Sequence, residues 1–461
     1  MHQILKKRES DLQELLAALS DRPKALDLFS GIGGLSLGLE QAGFHVLCNV
    51  EIEELAGRYA SYNFPHCRVL YGSSEGDVRK LKGKDLELKK GQLAIVAGGP
   101  PCQGFSLAGK KRADDPLNDL VCEMARVVLE LEPLCFLIEN VPGLTASNSP
   151  HLAEALSMLG RRYRIAEPEI LSAADYGVPQ MRKRVFFVGM RRDLKIDPSL
   201  PKPTHLPPKK LARAQSDLFI RLPPTPTVRD AISDIPNVDD YFELIDGDRI
   251  SYPLPPSSDY QKRMRQASKG RGDCSVVPVW QQTILTNVRR TRHGDELLDR
   301  LRKLSFGRAD KISGIRRLDP EDVSTTIRAG TVAERGSWSA PRPLHYAFDR
   351  VLTTRECARI QSFPDWFYFH PVKWHGNRQV GNAVAPLLAR TIGQHLLGLL
   401  GISVPNTKLP HVSRDETLVA QDIADAANSG LSTRAISQKV THPRIGVLND
   451  RGRRVRPKEL R

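Results

Sequence analysis

A short apolar stretch, Lys24–Phe29, runs straight into the turn Ser30-Gly31-Ile-Gly33-Gly34 and then into an amphipathic stretch, Leu35–Ala42. A strand that ends on closely spaced glycines and opens a helix confines the chain to a few folds. The glycines let the backbone come close to a ligand, and the helix N-terminus turns its amides toward it. The pattern then repeats. His45–Val50, Leu93–Ala97, Cys135–Glu139 and Val185–Val188 are strand-length apolar runs, and Glu53–Tyr62 and Asn118–Leu131 show helical spacing between them. Repeated strand–helix units predict an α/β fold with a parallel sheet covered by helices.

In such a sheet the chemistry sits on loops beyond the C-terminal strand ends. Glu51 closes Asn49-Val-Glu at the end of the second expected strand, about 20 residues past the glycine turn, where an acid would bind ribose hydroxyls. Phe29 offers either a ring for an adenine to stack on or a core aromatic, and Asp77 either an acceptor for the adenine amino group or a loop or N-cap residue. After the third apolar run comes Gly98-Gly-Pro-Pro-Cys102-Gln103-Gly-Phe-Ser106, which is poor core material and puts a thiol on a shaped, exposed loop. Glu139-Asn-Val ends the next strand and offers a candidate acid or hydrogen-bond donor. Gln180-Met-Arg182-Lys-Arg184 leads into the last strand, and alternation puts both arginines on one side, facing the site together. The glycine turn alone fits several nucleotide cofactors, NAD, FAD and S-adenosylmethionine among them.

Charge adds a partner class. The chain carries 68 Lys+Arg against 53 Asp+Glu, a net +15 over 461 residues. The excess is local: 28 basic against 20 acidic residues lie between Arg191 and Arg342, and seven against two between Thr441 and Arg461. Segmental basic excess points to a polyanion. Seven scattered cysteines without a CxxC pair argue against a disulfide framework or a cysteine zinc site, so no metal is expected. No apolar run approaches the roughly 18 residues of a membrane span, and no secretory leader is evident, which makes a soluble, cytoplasmic protein the expectation.

These motifs, in this order, resemble those of DNA cytosine-5 methyltransferases. The likeness runs from about Ala25 to Leu400 and ends on Gln379-Val-Gly381-Asn382-Ala-Val384. It implies a Rossmann-like S-adenosylmethionine-dependent methyltransferase sheet with an inserted smaller, irregular, basic target recognition domain. The implied division is an N-terminal helix at 1–23, catalytic and cofactor-binding parts at 24–195 and 346–402, the recognition domain at 196–345, and a linker with a basic appendage at 403–461. Cys102 would be the nucleophile that adds to cytosine C6, Glu139 would meet ring N3, and Arg182 and Arg184 would orient the flipped base. Phe29, Gly31, Gly33, Gly34, Glu51, Asp77, Pro100, Leu120 and Asn382 would line the cofactor pocket. Gln103, Ser106, Arg289, Arg290, Arg292, Thr326 and Arg328 would contact double-stranded DNA.

Two departures from the family pattern stand out: Leu117 takes the place of an arginine, and Ala385-Pro386 that of a proline pair. The resemblance further implies a bacterial restriction–modification or orphan modification enzyme, nucleoid-associated when bound, acting as a monomer on DNA, with a cognate restriction endonuclease as a candidate partner. A tRNA cytosine-5 methyltransferase and a DNA-binding regulator working through the appendage are the alternatives. Residues 422–440 half-match a helix-turn-helix, with a flexible basic tail as the simpler reading, and the Leu12, Leu15, Leu16, Leu19 stripe predicts a helix packed on its own domain.

Overall fold

A computed structural model describes residues 2–101, 119–146, 149–214, 222–252, 254–265, 273–330, 343–405 and 409–428. Nine strands are labelled in chain order: β1 Lys24–Leu28, β2 His45–Glu51, β3 Arg68–Tyr71, β4 Ile95–Gly98, β5 Cys135–Asn140, β6 Tyr163–Ile165, β7 Glu169–Ser172, β8 Gln180–Met181 and β9 Lys183–Arg191. The main sheet runs β3-β2-β1-β4-β5-β9-β6, with β7 also paired to β9. Its first five strands are parallel. Strands such as Cys135-Phe-Leu-Ile are buried throughout, as a sheet covered on both faces requires. Helix Gly34–Ala42 is buried along its whole length. Gly38 makes this possible, because a Cβ there would come within 2.3 Å of Ala389 in the covering helix Pro386–Leu399.

The sheet is parallel as expected over most of its width, with one antiparallel strand. β9 runs antiparallel to β5, β6 and β7. The chain returns from β7 to β9 through ten residues that include β8, too few for the helical crossover that a parallel neighbour needs. Strand order reverses between β1 and β4, and there the loops after adjacent strands diverge and open a crevice.

Residues 196–345 contain little regular pairing: Arg249–Ser251 with Ile284–Thr286, and Arg316–Arg317 with Pro343–Leu344. Their apolar residues Val228, Ile232, Leu244, Tyr260 and Leu285 join one continuous core with Phe363, Phe367 and the helices beneath the sheet. The described part of this segment therefore shares its core with the sheet-bearing part of the chain. Charges strengthen the joint. On helix Thr354–Ile360, Arg359 reaches Asp234 at 2.9 Å and Asp365 at 2.6 Å, all fully buried. Arg350 pairs with Glu356 at 2.8 Å, and Arg355 donates to the carbonyls of Thr286, Pro364 and Phe367. Burial of so many charges is tolerable only because each has partners of opposite polarity.

Both chain ends depart from expectation. On helix His2–Leu19, Leu15 and Leu19 pack with Val276, Leu409 and Val412, so the N-terminal helix meets the recognition segment and the appendage. The appendage is docked as far as residue 428. Helix Thr417–Asn428 sits on helix Glu54–Asn63 through Asp422, which binds Arg58 at 2.8 Å and Tyr59 at 3.1 Å, while Glu416 accepts from Tyr62. Arg414 stacks over Tyr62 and Trp366. The remaining half of the expected helix-turn-helix lies outside the described residues. Among the described residues, no helix is long and apolar enough to cross a membrane.

Candidate active site

Register places the key residues before any side chain is considered. Leu28 is level with Val50 on one side and Gly98 on the other, and Gly98 is level with Ile138. One step on, Glu51, Phe29, Gly99 and Glu139 form a row across β2, β1, β4 and β5. Three strand spacings separate its outer carboxylates by about 14 Å. The row straddles the β1/β4 reversal, with a cofactor-type acid at one end and a catalytic-type acid at the other.

At the β1/β2 end, Phe29, Gly31 and Gly33 all take positive φ, 56°, 55° and 93°. For Phe29 this is a strained conformation that the surrounding packing must hold. A Cβ on Gly33 would lie 2.4 Å from Phe64, whereas Gly31 has open space above it. The Glu51 carboxylate accepts from the Gly31 amide at 2.7 Å and the Glu53 amide at 2.8 Å, and burial pushes its pKa up. An open cradle over Gly31 beside a half-buried carboxylate fits a nucleoside whose ribose hydroxyls would approach Glu51.

Asp77 is less available. Arg79 forks it at 2.8 and 2.9 Å and holds its carboxyl below the usual range, so an adenine amino group would have to compete. Leu120 is buried at the start of helix Leu120–Leu131. Asn382 is exposed at the end of helix Lys373–Asn382. The Gln379–Val384 motif does reach the glycine turn: a Cβ on Gly34 would lie 2.4 Å from the Val384 carbonyl.

At the β4/β5 end, Cys102, Gln103, Ser106 and Leu117 lie outside the described residues, and the chain is described as far as Pro101. Asn140 Nδ2 donates to the Pro100 carbonyl at 2.9 Å, and a Cβ on Gly99 would sit 3.0 Å from Glu139 Oε2. Pro100 is buried. Neither Asn140 nor Gly99 was singled out from the sequence, although both stand inside the motifs that drew attention there. Glu139 Oε1 is 2.9 Å from Arg184 Nε, each side chain only slightly exposed.

Arg182 does not join that pair. It is fully buried and donates to the carbonyls of Ile327 at 3.2 Å and Gly381 at 2.9 Å. The expectation that both arginines face the base thus needs correcting: alternation predicts a shared side only along an unbroken strand, and Arg182 falls between β8 and β9. Its guanidinium instead bridges two backbone segments. Gln180, also unforeseen, completes the joint by accepting from Ile327 N at 3.0 Å and donating to Gln361 at 2.5 Å.

The residues expected to contact DNA divide in the same way. Arg289 donates to the carbonyls of Ile245 and Ala426, and Arg290 to that of Asp239. Both are structural cross-links that density of charge in the sequence had disguised. Thr326 donates to the Met181 carbonyl at 2.6 Å. Arg292 and Arg328 are exposed. On the sequence evidence no metal was expected. One mixed group, Cys122, His151 and Glu154, brings its donor atoms within 4.8 Å of one another, and Asp119 is 2.9 Å from His151.

Comparison with known proteins agrees with this geometry. Residues 24–398 match the profile of C-5 cytosine-specific DNA methylases. Type II methyltransferase M.XorII of Xanthomonas oryzae is 35% identical over 91% of this chain and 95% of its own length. Type II methyltransferase M.AgeI of Thalassovita gelatinovora is 33% identical over 80% of this chain and 98% of its own. Among solved structures, a protein described as a DNA modification methyltransferase encoded within an Escherichia coli prophage superposes with a TM-score of 0.65. It is 32% identical and covers 82% of this chain and 99% of its own. A match of this extent, over a site with these residues in this arrangement, places the chain in the C-5 cytosine-specific DNA methylase family.

Proposed function

We propose a division of labour for the cytosine-5 methylation of DNA that membership of this family brings. The observation that carries it is the Glu139–Arg184 pair, with Glu139 standing beside Gly99, three residues before Cys102. A base edge stacked in a duplex is out of reach, so the target cytosine is flipped into this crevice. The Cys102 thiolate adds to C6 and makes C5 electron-rich. Glu139, held in place by Arg184, meets N3 and stabilises the charge that develops in the ring, while Arg184 steers O2. Once C5 has taken the methyl group, its proton leaves to a base, the C6–Sγ bond breaks by β-elimination, and the thiolate returns.

S-adenosylmethionine, when bound, supplies an electrophilic methyl carbon. Glu51 and the Gly31–Gly34 turn would hold its nucleoside part, with Phe29 as the stacking face. Arg182 ties the recognition segment, through Ile327, to Gly381 of the motif beside the glycine turn. The type II names of the relatives support a restriction–modification setting with a cognate endonuclease, and we place the enzyme as a cytoplasmic monomer on DNA.

The test is nucleoside mass spectrometry after incubation of the full chain with S-adenosylmethionine and unmethylated DNA, and separately with tRNA. 5-Methylcytosine in DNA alone, absent for Cys102→Ser, is the expected outcome. Product in tRNA alone, or product that survives the substitution, would overturn this assignment.

A further inference from the structure

Helices Leu120–Leu131 and Pro150–Gly160 start side by side, with Val121, Met124, Leu152 and Ala155 in one apolar core. Each start carries two chelating side chains three residues apart: Asp119 and Cys122 on the one, His151 and Glu154 on the other. Side chains at that spacing share a helix face. The methylation chemistry uses none of the four.

The donor atoms of Cys122, His151 and Glu154 lie within 4.8 Å of one another. Tetrahedral zinc takes sulfur, nitrogen and oxygen ligands at about 2.0–2.3 Å, which sets the ligands roughly 3.3–3.7 Å apart. Cys122 and His151 are half-buried and Glu154 is exposed, so side-chain rotation can close the remaining gap of about 1 Å. Asp119 Oδ1 lies 2.9 Å from His151 Nδ1. This contact orients the ring and leaves Nε2 as its second donor atom. Metal-binding histidines habitually give their other nitrogen to a carboxylate in this way.

Charge agrees with geometry. The Cys122 thiol donates to the His151 carbonyl at 3.3 Å, and its charged neighbours are the acids Glu154, Asp119 and Glu123. Arg126 takes Glu123 at 2.8 Å, which leaves Asp119 and Glu154 to meet a dication. Two helix starts bring about half a positive charge each, less than the two carboxylates and a thiolate supply. A surface ion pair between His151 and Asp119 would be worth little and would need neither Cys122 nor Glu154. Thiolate and imidazole select zinc, whereas magnesium and calcium take oxygen ligands.

We propose that Cys122, His151 and Glu154 bind one zinc ion, with Asp119 orienting the imidazole and water in the fourth position, so that the ion clamps the starts of the two helices together. Three protein ligands and a water form a recurrent zinc arrangement. Metal that binds only the folded chain also stabilises it by mass action.

The test strips the full chain of metal and titrates it with cobalt(II) alone, then with zinc. Wild type, Cys102→Ser, Cys122→Ser, His151→Gln and Asp119→Asn are compared. The expected result is one cobalt per chain with a sulfur-to-metal charge-transfer band. That band should survive in Cys102→Ser, vanish in Cys122→Ser and be displaced by zinc. Asp119→Asn should weaken binding roughly 10- to 100-fold, and His151→Gln at least as much. Zinc should raise the melting temperature of wild type and not that of Cys122→Ser. No band in wild type, a band retained in Cys122→Ser, or unchanged affinity in both His151→Gln and Asp119→Asn would overturn the proposal. The readout is metal binding, so it stands or falls independently of methylation.

Discussion

Arg184 Nε lies 2.9 Å from Glu139 Oε1, and Glu139 stands beside Gly99, three residues before Cys102. The arginine keeps the carboxylate oriented, and the carboxylate fixes the guanidinium plane, so neither can be replaced without disturbing the other. β5 and β9 are antiparallel neighbours here, and this brings residues 45 positions apart in the chain to the same end of the sheet.

Glu139→Gln keeps the shape but removes the acid. The expected result is a fall in kcat of about 10²- to 10⁴-fold, the usual worth of a positioned acid or base. DNA affinity should be retained, as measured by single-turnover methylation alongside a binding titration.

Glu51→Ala removes the acceptor beside the glycine turn. Loss of charge-assisted hydrogen bonds worth about 1.5–3 kcal/mol predicts S-adenosylmethionine binding weakened roughly 10- to 100-fold. Titration calorimetry on the DNA-free enzyme reads this directly, and an unchanged affinity would remove Glu51 from the cofactor site.

Arg359→Met removes the guanidinium that pairs with both Asp234 and Asp365, leaving the first to Arg265 and the second to Tyr252 and a distant Arg355. Breaking a buried pair from one side costs about 3–5 kcal/mol. The urea midpoint should fall accordingly. Adding Asp234→Asn and Asp365→Asn to the variant should restore part of the loss, which a simple packing defect would not allow.

Two buried carboxylates drive stability in opposite directions with pH. Arg350 and the Thr353 cap hold Glu356 down to about 2, so its contribution is complete above the ordinary glutamate range and is lost as pH falls toward 2. Burial pushes Asp27 up to about 7. The Ser36 hydroxyl lies 2.5 Å from Asp27 and 2.8 Å from Asn49, and the raised pKa leaves a proton on the Asp27 carboxyl. The folded state therefore holds that proton between about pH 4 and 7, and this group's contribution declines as pH rises through 7. Asp27→Asn should raise the melting temperature more at pH 8 than at pH 5. An equal shift at both values would show that Asp27 does not titrate in this window.

Much of this protein was legible from its residues alone, because apolar runs of strand length can be buried in only a few ways. β1, β2, β4 and β5 lie within two residues of the expected runs. Glu51 and Glu139 fall at strand ends as the spacing required, since backbone periodicity is a local property. Weakly apolar strands were not legible: β3 is Arg-Val-Leu-Tyr with an exposed arginine, and β6 is three residues long.

Tertiary structure alone decided which charges do chemistry and which hold the molecule together. In the sequence Arg182 and Arg184 look equivalent, as do Arg289 and Arg292. Folding buries Arg182 against two carbonyls and seats Arg184 on Glu139. It likewise spends Arg289 on Ile245 and Ala426 and leaves Arg292 exposed. A guanidinium's role depends on the acceptors that reach it, and those come from chain segments tens to hundreds of residues away, beyond anything local pattern encodes.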